Sequence, residues 1–151
     1  MKRVLLLLCF VVVSAGAYGQ GFSLTDTQGK THHLADYKGK WLLVNFWATW
    51  CPPCLRELPD LVALHDAHKN KDLEVIGVAM EYQSADYVKQ FAQSMMVSYP
   101  IVLGNDRIAA QFGSIDGLPT SYLFNPKGKM VAYNVGALTR QAVESYIARN
   151  R

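Results

Sequence analysis

Apolar and polar residues follow one another in blocks whose lengths predict the secondary structure of this chain. The run WLLVNFW at 41–47 is continuously apolar apart from one Asn, and LEVIGVAM at 73–80 is nearly so. Both have strand length, which is typical of strands buried on both faces. Between them, residues 52–69 carry leucines at helical spacing and predict a helix. Pro59 lies too far in for a first turn, so we expect a kink there.

The remaining segments extend this βαβ unit at both ends. In chain order they predict a hairpin and loop over 22–40, a helix over 84–95, an extended segment over 99–104, a short helix over 106–113, strands over 119–125 and 129–136, and a helix over 139–150. Gln28-Gly29 and Asn125-Pro126-Lys127-Gly128 are turn sequences. Ser84 and Thr139 are candidate N-caps. The chain therefore predicts an α/β domain in which helices flank a central mixed sheet, with an N-terminal β-hairpin extension.

The first nineteen residues have the pattern of a secretory signal peptide. Lys2 and Arg3 precede an unbroken apolar run from Val4 to Val13, and small residues follow. The run is shorter than the roughly 20 residues that span a bilayer. We predict a signal peptide over 1–19 and a single domain over 20–151. An uncleaved membrane anchor and a buried first element remain as alternatives.

Length, composition and charge narrow the function classes. The 151 residues suffice for one domain with a core, and 50% hydrophobic with 18% charged residues is globular composition. A net charge of +3, scattered along the chain, argues against nucleic acid binding. Removal of residues 1–19 would lower the net charge to about +1 and would remove Cys9, leaving Cys51 and Cys54 as the only cysteines.

Cys51 and Cys54 allow three interpretations, and two of them are weak. A disulfide between them closes a very small loop and is a poor structural staple. A metal site would need His65 and His68, which follow in the same predicted helix. One unbroken helix from 54 to 65 rises roughly 16 Å, too far for a single ion, although a broken helix would keep this alternative open. We expect His65, His68 and the histidines of the segment THH (31–33) to be solvent-exposed, without partners.

The third interpretation is thiol redox chemistry. Cys51 lies where a buried strand ends and a helix begins, so free N–H groups and the helix dipole favour its thiolate. Cys54 lies one turn further into the helix and is predicted to be more buried. We therefore assign Cys51 as the nucleophile and Cys54 as the resolving thiol. Pro52 and Pro53 suit a helix start and hold the two sulfurs at a set spacing.

The stretch VNFWATWCPPC followed by LRELP resembles the active-site region of thioredoxin-fold proteins, in particular the exported TlpA-like branch that includes ResA and CcmG (DsbE). The resemblance extends over about residues 20–150 and includes DGLPTSYLFNPKGKMV near the C-terminal end. It implies a thioredoxin fold and an exported protein-disulfide oxidoreductase. No metal and no organic cofactor are implied, since the Cys51–Cys54 pair itself is the redox centre.

The resemblance also implies roles for residues around the cysteines. Pro119 is expected to be a cis proline that faces the pair and holds the backbone of Leu118 open to a substrate strand. Asn45 stands where thioredoxin has a buried Asp, and it cannot take a proton. Glu81, directly after the second strand, is therefore the candidate acceptor for the Cys54 proton, provided that burial raises its pKa. Trp47, Trp50 and Tyr122 are candidates to frame the contact surface, with core packing as the alternative, since aromatics beside a core strand are more often packed.

The branch is typically reducing, which implies disulfide-containing exported proteins as substrates, with apocytochrome c among the candidates. A membrane electron donor would return electrons to the pair. We expect a monomer located in the bacterial periplasm, peripheral to or tethered at the membrane. A dithiol oxidant is the main alternative. A peroxiredoxin-like peroxidase is disfavoured because Val44 and Ala48 replace its signature residues, and a redox-inert binding module would not need both cysteines.

Overall fold

A computed structural model describes residues 21–151, so the predicted signal peptide and Cys9 lie outside the described residues. The strands are β1 (Ser23–Thr25), β2 (Thr31–His33), β3 (Trp41–Trp47), β4 (Leu73–Ala79), β5 (Ile101–Leu103), β6 (Thr120–Phe124) and β7 (Met130–Val135). The helices are α1 (Pro52–His68), α2 (Ala85–Ser94), α3 (Asp106–Ala109) and α4 (Arg140–Arg149), and a 3₁₀ turn covers Leu34–Tyr37.

Five of the strands form one mixed sheet in the order β5-β4-β3-β6-β7. Strands β3, β4 and β5 are parallel, while β6 and β7 run antiparallel to their neighbours. The apolar run at 41–47 becomes the central strand and is buried along its whole length. Its Asn45 pairs with Gly77 of β4 on one side and with Ser121 of β6 on the other. The predicted α/β architecture is therefore confirmed.

The two faces of the sheet are covered by different elements. Alternate residues of β3 point to opposite faces, so Leu43 and Trp47 pack in one core while Leu42 and Phe46 pack in the other. The first core is closed by the apolar sides of α1, α2 and α4. The second is closed by the N-terminal hairpin, the 3₁₀ turn and α3.

The N-terminal hairpin also covers one edge of the main sheet. Strands β1 and β2 pair antiparallel, and Gly29 lies in the left-handed region (φ +87°) that their tight turn requires. The backbone N–H of Thr27 donates to the carbonyl oxygen of Ile101 over 2.8 Å, and Asp26 forms a bridge with Val102. These contacts attach the hairpin to β5, the short edge strand.

Local signals explain where the helices begin and end. The hydroxyl oxygens of Ser84 and Thr139 accept hydrogen bonds from Tyr87 N–H and Ala142 N–H, which confirms both predicted N-caps. Helix α1 continues through Pro59 to His68. Helix α3 is shorter than predicted and ends at Ala109, after which residues 110–113 continue as tighter turns. Within residues 21–151, no helix combines the length and hydropathy needed to cross a bilayer.

The expectation that the histidines are exposed and unpartnered is wrong for three of them. His32 is 1% exposed and lies between Asp26 Oδ2 (2.9 Å) and the Tyr37 hydroxyl (2.5 Å). His65 is buried with its ring edge-on to Tyr99. His68 is half-buried and connects Asp72 to Glu144. His32 and His65 therefore belong to the protein interior, and His68 forms a bridge between two carboxylates.

Candidate active site

Cys51 and Cys54 form a disulfide at the junction between β3 and α1, with their Cα atoms 5.2 Å apart. Cys51 is the N-cap of α1, in extended conformation, and Cys54 lies within the first turn. Cys51 is 3% exposed and Cys54 is completely buried, so Cys51 is the nearer of the two to solvent. This order of burial is the one expected if Cys51 is the nucleophile. The assignment itself stays a prediction.

The two prolines decide which backbone donors reach the sulfur of Cys51. Pro52 and Pro53 occupy the first two helical positions and have no N–H to offer. The N–H of Cys54 is the first one available, and it donates to Cys51 Sγ over 3.4 Å. The next N–H, of Leu55, donates to the carbonyl oxygen of Cys51. The Cys51 sulfur therefore receives a single helix N-terminal hydrogen bond.

The loop before β6 faces the disulfide from the other side. The Leu118–Pro119 peptide bond is cis, which is the isomer that the family resemblance predicts. The carbonyl oxygen of Leu118 lies 3.6 Å from Cys51 Sγ. The carbonyl oxygen of Pro119 accepts a hydrogen bond from Gly136 N–H over 2.8 Å, which fixes the loop to the end of β7.

A surface cavity of about 610 Å³ opens beside Cys51. Its walls include Trp50, Met80, Glu81, the α3 segment and residues 115–118. Trp50 is 57% exposed, and its indole N–H donates to the backbone carbonyl of Glu81 over 3.2 Å. Trp47 and Tyr122 are instead buried in the two cores, which agrees with the packing alternative and not with a place on the contact surface.

Glu81 lies at the rim of this cavity, directly after β4. Its backbone is left-handed (φ +48°) and its side chain is exposed. The burial on which its role as proton acceptor depends is therefore absent. The assignment of Glu81 as proton acceptor stays a prediction.

A different carboxylate, Glu57, is buried on α1 about one turn beyond Cys54. It lies three residues after Cys54 on α1 and is 1% exposed. Residues three apart on a helix are neighbours, and helical side chains lean toward the N-terminus, so Glu57 extends toward the turn that holds Cys54. One of its oxygens, Oε1, accepts from Asn45 Nδ2 over 2.7 Å, and Oε2 accepts from Leu138 N–H over 2.8 Å.

Burial raises the pKa of Glu57 to about 7, against the opposing effect of the hydrogen bonds from Leu138 N–H and the Asn45 amide. A carboxyl group with this pKa exchanges its proton near neutral pH. Glu57 is not among the residues singled out from the sequence, since charged side chains usually face solvent. A signal was present, since Cys54, Glu57, Leu61 and Leu64 follow one helical stripe.

Of the four residues considered for a metal site, His65 is buried with its ring edge-on to Tyr99, and the other three are held by partners. Cys51 and Cys54 are joined to each other, and His68 is bonded to two carboxylates. Over residues 21–151, no three His, Cys, Asp or Glu side chains come together as a metal site would require.

Comparison with known proteins agrees with this geometry. The model of the AhpC/TSA family matches residues 16–133. Thiol-disulfide oxidoreductase ResA from Bacillus subtilis (strain 168) is 36% identical over 135 residues, which cover 89% of this chain and 75% of ResA.

Two solved structures show the same fold. A thiol:disulfide interchange protein of the thioredoxin family from Chlorobium tepidum TLS is 29% identical, with a TM-score of 0.78 over 85% of this chain and 92% of that one. StoA from Bacillus subtilis is 27% identical, with a TM-score of 0.72 over 84% of this chain and 96% of that one. The chain therefore belongs to the AhpC/TSA family of thioredoxin-fold proteins, and it is a thiol-disulfide oxidoreductase similar to ResA.

Proposed function

We propose that this thiol-disulfide oxidoreductase is a reductant of disulfides in exported proteins. The observation that supports reduction of substrates, as opposed to their oxidation, is that Cys51 Sγ accepts a hydrogen bond from only one N–H of the helix N-terminus. A dithiol–disulfide protein is a strong oxidant when its reduced form is stabilised relative to its disulfide form. Pro52 and Pro53 offer no N–H to the Cys51 sulfur, and the Glu57 carboxylate, about one turn beyond Cys54 on α1, disfavours a second negative charge. The reduced dithiol is thus weakly stabilised, which favours its oxidation by a substrate.

The reaction runs in two exchanges. The Cys51 thiolate attacks one sulfur of the substrate disulfide, which breaks, so that a mixed disulfide forms and the other substrate sulfur leaves as a thiolate. Cys54 then gives its proton to the Glu57 carboxylate, and its thiolate attacks Cys51 Sγ. The remaining substrate sulfur leaves as a thiolate, and the Cys51–Cys54 disulfide forms. Two electrons pass from the dithiol to the substrate.

Substrate binding is assigned to the 610 Å³ cavity and the Leu118 backbone. The Leu118 carbonyl lies at the sulfur, so an extended substrate segment could pair with it while its disulfide reaches Cys51. Apocytochrome c and other disulfide-containing exported proteins are the proposed substrates, and a membrane donor is proposed to reduce the pair again. The signal-like pattern over residues 1–19 supports a periplasmic location.

The order of the cysteines is tested by trapping. A Cys54→Ser variant should accumulate a mixed disulfide with a model disulfide substrate, detected by mass spectrometry, because resolution is blocked. The matched Cys51→Ser variant should form none. Accumulation in the Cys51→Ser protein instead would reverse the two roles.

The direction is tested by equilibrating the pair against dithiothreitol or glutathione. A reduction potential at or below roughly −250 mV supports the reductant, while a value near roughly −120 mV makes the protein an oxidant. Peroxide turnover by the reduced protein, at a rate comparable to disulfide turnover, would favour the peroxidase alternative.

The proton acceptor is tested by comparing Glu57→Gln with Glu81→Gln. We expect Glu57→Gln to slow resolution of a preformed mixed disulfide by about 10²-fold or more near neutral pH, the effect of losing a general base. Glu81→Gln is the matched control and should stay near the wild-type rate. The opposite ranking would return the role to Glu81.

A further inference from the structure

The hydrogen bonds around Glu57 leave one buried polar atom without a partner. Asn45 Nδ2 donates to Glu57 Oε1 over 2.7 Å and to Ser121 Oγ over 3.0 Å. The other end of the same amide, Asn45 Oδ1, is buried and has no hydrogen-bond partner among the described residues. All three side chains are 2% exposed or less. An unsatisfied buried oxygen of this kind calls for an explanation.

The second oxygen of Glu57 fixes where a proton can go. Oε2 accepts the backbone N–H of Leu138 over 2.8 Å, and a backbone donor cannot turn into an acceptor. A proton taken up by Glu57 therefore resides on Oε1, the oxygen that faces Asn45 Nδ2. There the new O–H would point at an N–H₂ group, and two donors cannot bond to each other.

A half-turn of the Asn45 amide removes this conflict. It brings Oδ1 to the place of Nδ2, where it can accept from the Glu57 O–H. The Ser121 hydroxyl, which can donate or accept, then reverses its bond and donates to Oδ1. Each orientation makes two hydrogen bonds and leaves one end of the amide unpaired, so neither protonation state is favoured by the count of bonds.

We propose that the Asn45 amide and the Ser121 hydroxyl form a two-position hydrogen-bond switch that turns each time Glu57 gains or loses its proton. This proposal rests on the proposed role of Glu57. Asn45 and Ser121 act as positioning residues, because they reach the sulfurs only through Glu57. A fixed donor in place of Asn45 would favour the ionised carboxylate, and a fixed acceptor would favour the acid. Asn45 lets the group alternate during turnover.

The other groups that face Glu57 keep their own protons while it titrates. Cys54 lies three residues before it on α1 and is held in the disulfide of the oxidised protein. Tyr99 is a buried phenol whose pKa is raised, first by burial and then by the charge of Glu57, so it stays neutral. The oxidised protein is therefore the form in which the switch can be observed alone.

Nuclear Overhauser effects in the oxidised full chain test the switch directly. Above the titration midpoint of the Glu57 carboxyl carbon, the Asn45 side-chain N–H₂ protons should show strong effects to Ser121 Hβ and Glu57 Hγ. Below it, these effects should be lost, because the N–H₂ group has turned away. Effects that persist unchanged through the titration would overturn the proposal, since a merely structural Asn45 would keep its orientation.

A Glu57→Gln variant supplies the matched control. Its amide must place the oxygen toward Leu138 N–H and the N–H₂ toward Asn45, which imitates the protonated acid. The nuclear Overhauser effects between the Asn45 N–H₂ protons and Ser121 Hβ should then be weak at every pH. Strong effects, like those expected of the wild-type protein at high pH, would contradict the switch. These spectra need no substrate, so they separate this proposal from the role of Glu57 as the proton acceptor, which the resolution rates test.

Discussion

Two buried polar clusters lie on opposite sides of the sheet, and they hold their carboxyl groups in opposite ways. The hairpin cluster consists of Asp26, His32 and Tyr37 on the side of the second core. The helix cluster consists of Glu57, Asn45 and Ser121 on the side that α1 covers.

In the hairpin cluster, hydrogen bonds outweigh burial. Burial alone would raise the pKa of Asp26, but His32 and the N–H groups of Lys30 and Gln28 bond to its carboxylate and hold the pKa below its ordinary value. Two of these donors are backbone N–H groups of the turn, and they cannot turn away. The cluster is therefore a fixed, ionised anchor for the hairpin.

In the helix cluster, burial outweighs the hydrogen bonds. Glu57 receives one backbone donor and one side-chain amide, and its pKa rises to about 7. The comparison teaches that the number and the rigidity of the donors decide whether a buried carboxyl serves as an anchor or remains able to exchange a proton.

The largest expected effect comes from breaking the anchor. Asp26→Ala would leave the ring of His32 and two backbone N–H groups without their acceptor, and we expect a loss of about 3–5 kcal/mol in the free energy of unfolding. Urea unfolding measures it. The control is Asp36→Ala, which removes an exposed carboxylate bonded to His33 N–H and should cost well under half as much. Equal losses in the two variants would mean that the buried Asp26 carboxylate contributes no more to stability than the exposed Asp36 carboxylate.

The next effect concerns the pH dependence of stability. The folded-state pKa of Glu57 (about 7) lies above its ordinary value of 4.5, so between these values the folded protein holds a proton that the unfolded chain has released. Stability contributed by this group is therefore full below about pH 4.5 and falls as pH rises toward 7, by roughly 3 kcal/mol.

Glu57→Gln should abolish this decline, which urea unfolding of the oxidised protein at several pH values would reveal. Glu81→Gln, the exposed control, should keep the wild-type slope. A wild-type slope that survives in Glu57→Gln would mean that Glu57 ionises at its ordinary pKa, and the contrast with Asp26 would disappear. Asp26 has the opposite sign, because its stabilisation is lost as pH falls through its lowered pKa.

The smallest effect sharpens the comparison within the helix cluster. Ser121→Ala removes one partner of the Asn45 amide, and we expect a loss of about 1 kcal/mol in the free energy of unfolding. Ser94→Ala is the control, since its hydroxyl is exposed at the end of α2 and donates to the Phe91 carbonyl. No difference between the two variants would mean that the Asn45–Ser121 bond does not contribute to stability.

The sequence predicts most of the fold because its signals are local. The apolar run at 41–47 gives β3 with its observed bounds, and caps such as Ser84 mark helix starts. The place of Cys51 at the strand–helix junction follows from the same patterns. Pro119 could be recognised only through the family resemblance, since nothing local distinguishes a cis proline.

The buried polar residues escaped prediction because their partners are distant in sequence or defined by pairing. Asp26 and His32 meet only once the hairpin register is set. Asn45 and Ser121 are 76 residues apart and meet through strand pairing. Glu57 lies on the apolar stripe of α1, but the usual exposure of Glu hides that signal.

The attachment of the hairpin to β5 has a consequence for self-association. An uncovered edge strand is a template on which another chain can add by backbone pairing. Thr27 and Asp26 already occupy the β5 edge, whereas β7 ends the other side of the sheet with Tyr133 and Val135 exposed. Among the strands of residues 21–151, a fragment that lacks the hairpin would therefore expose two sheet edges to backbone pairing instead of one.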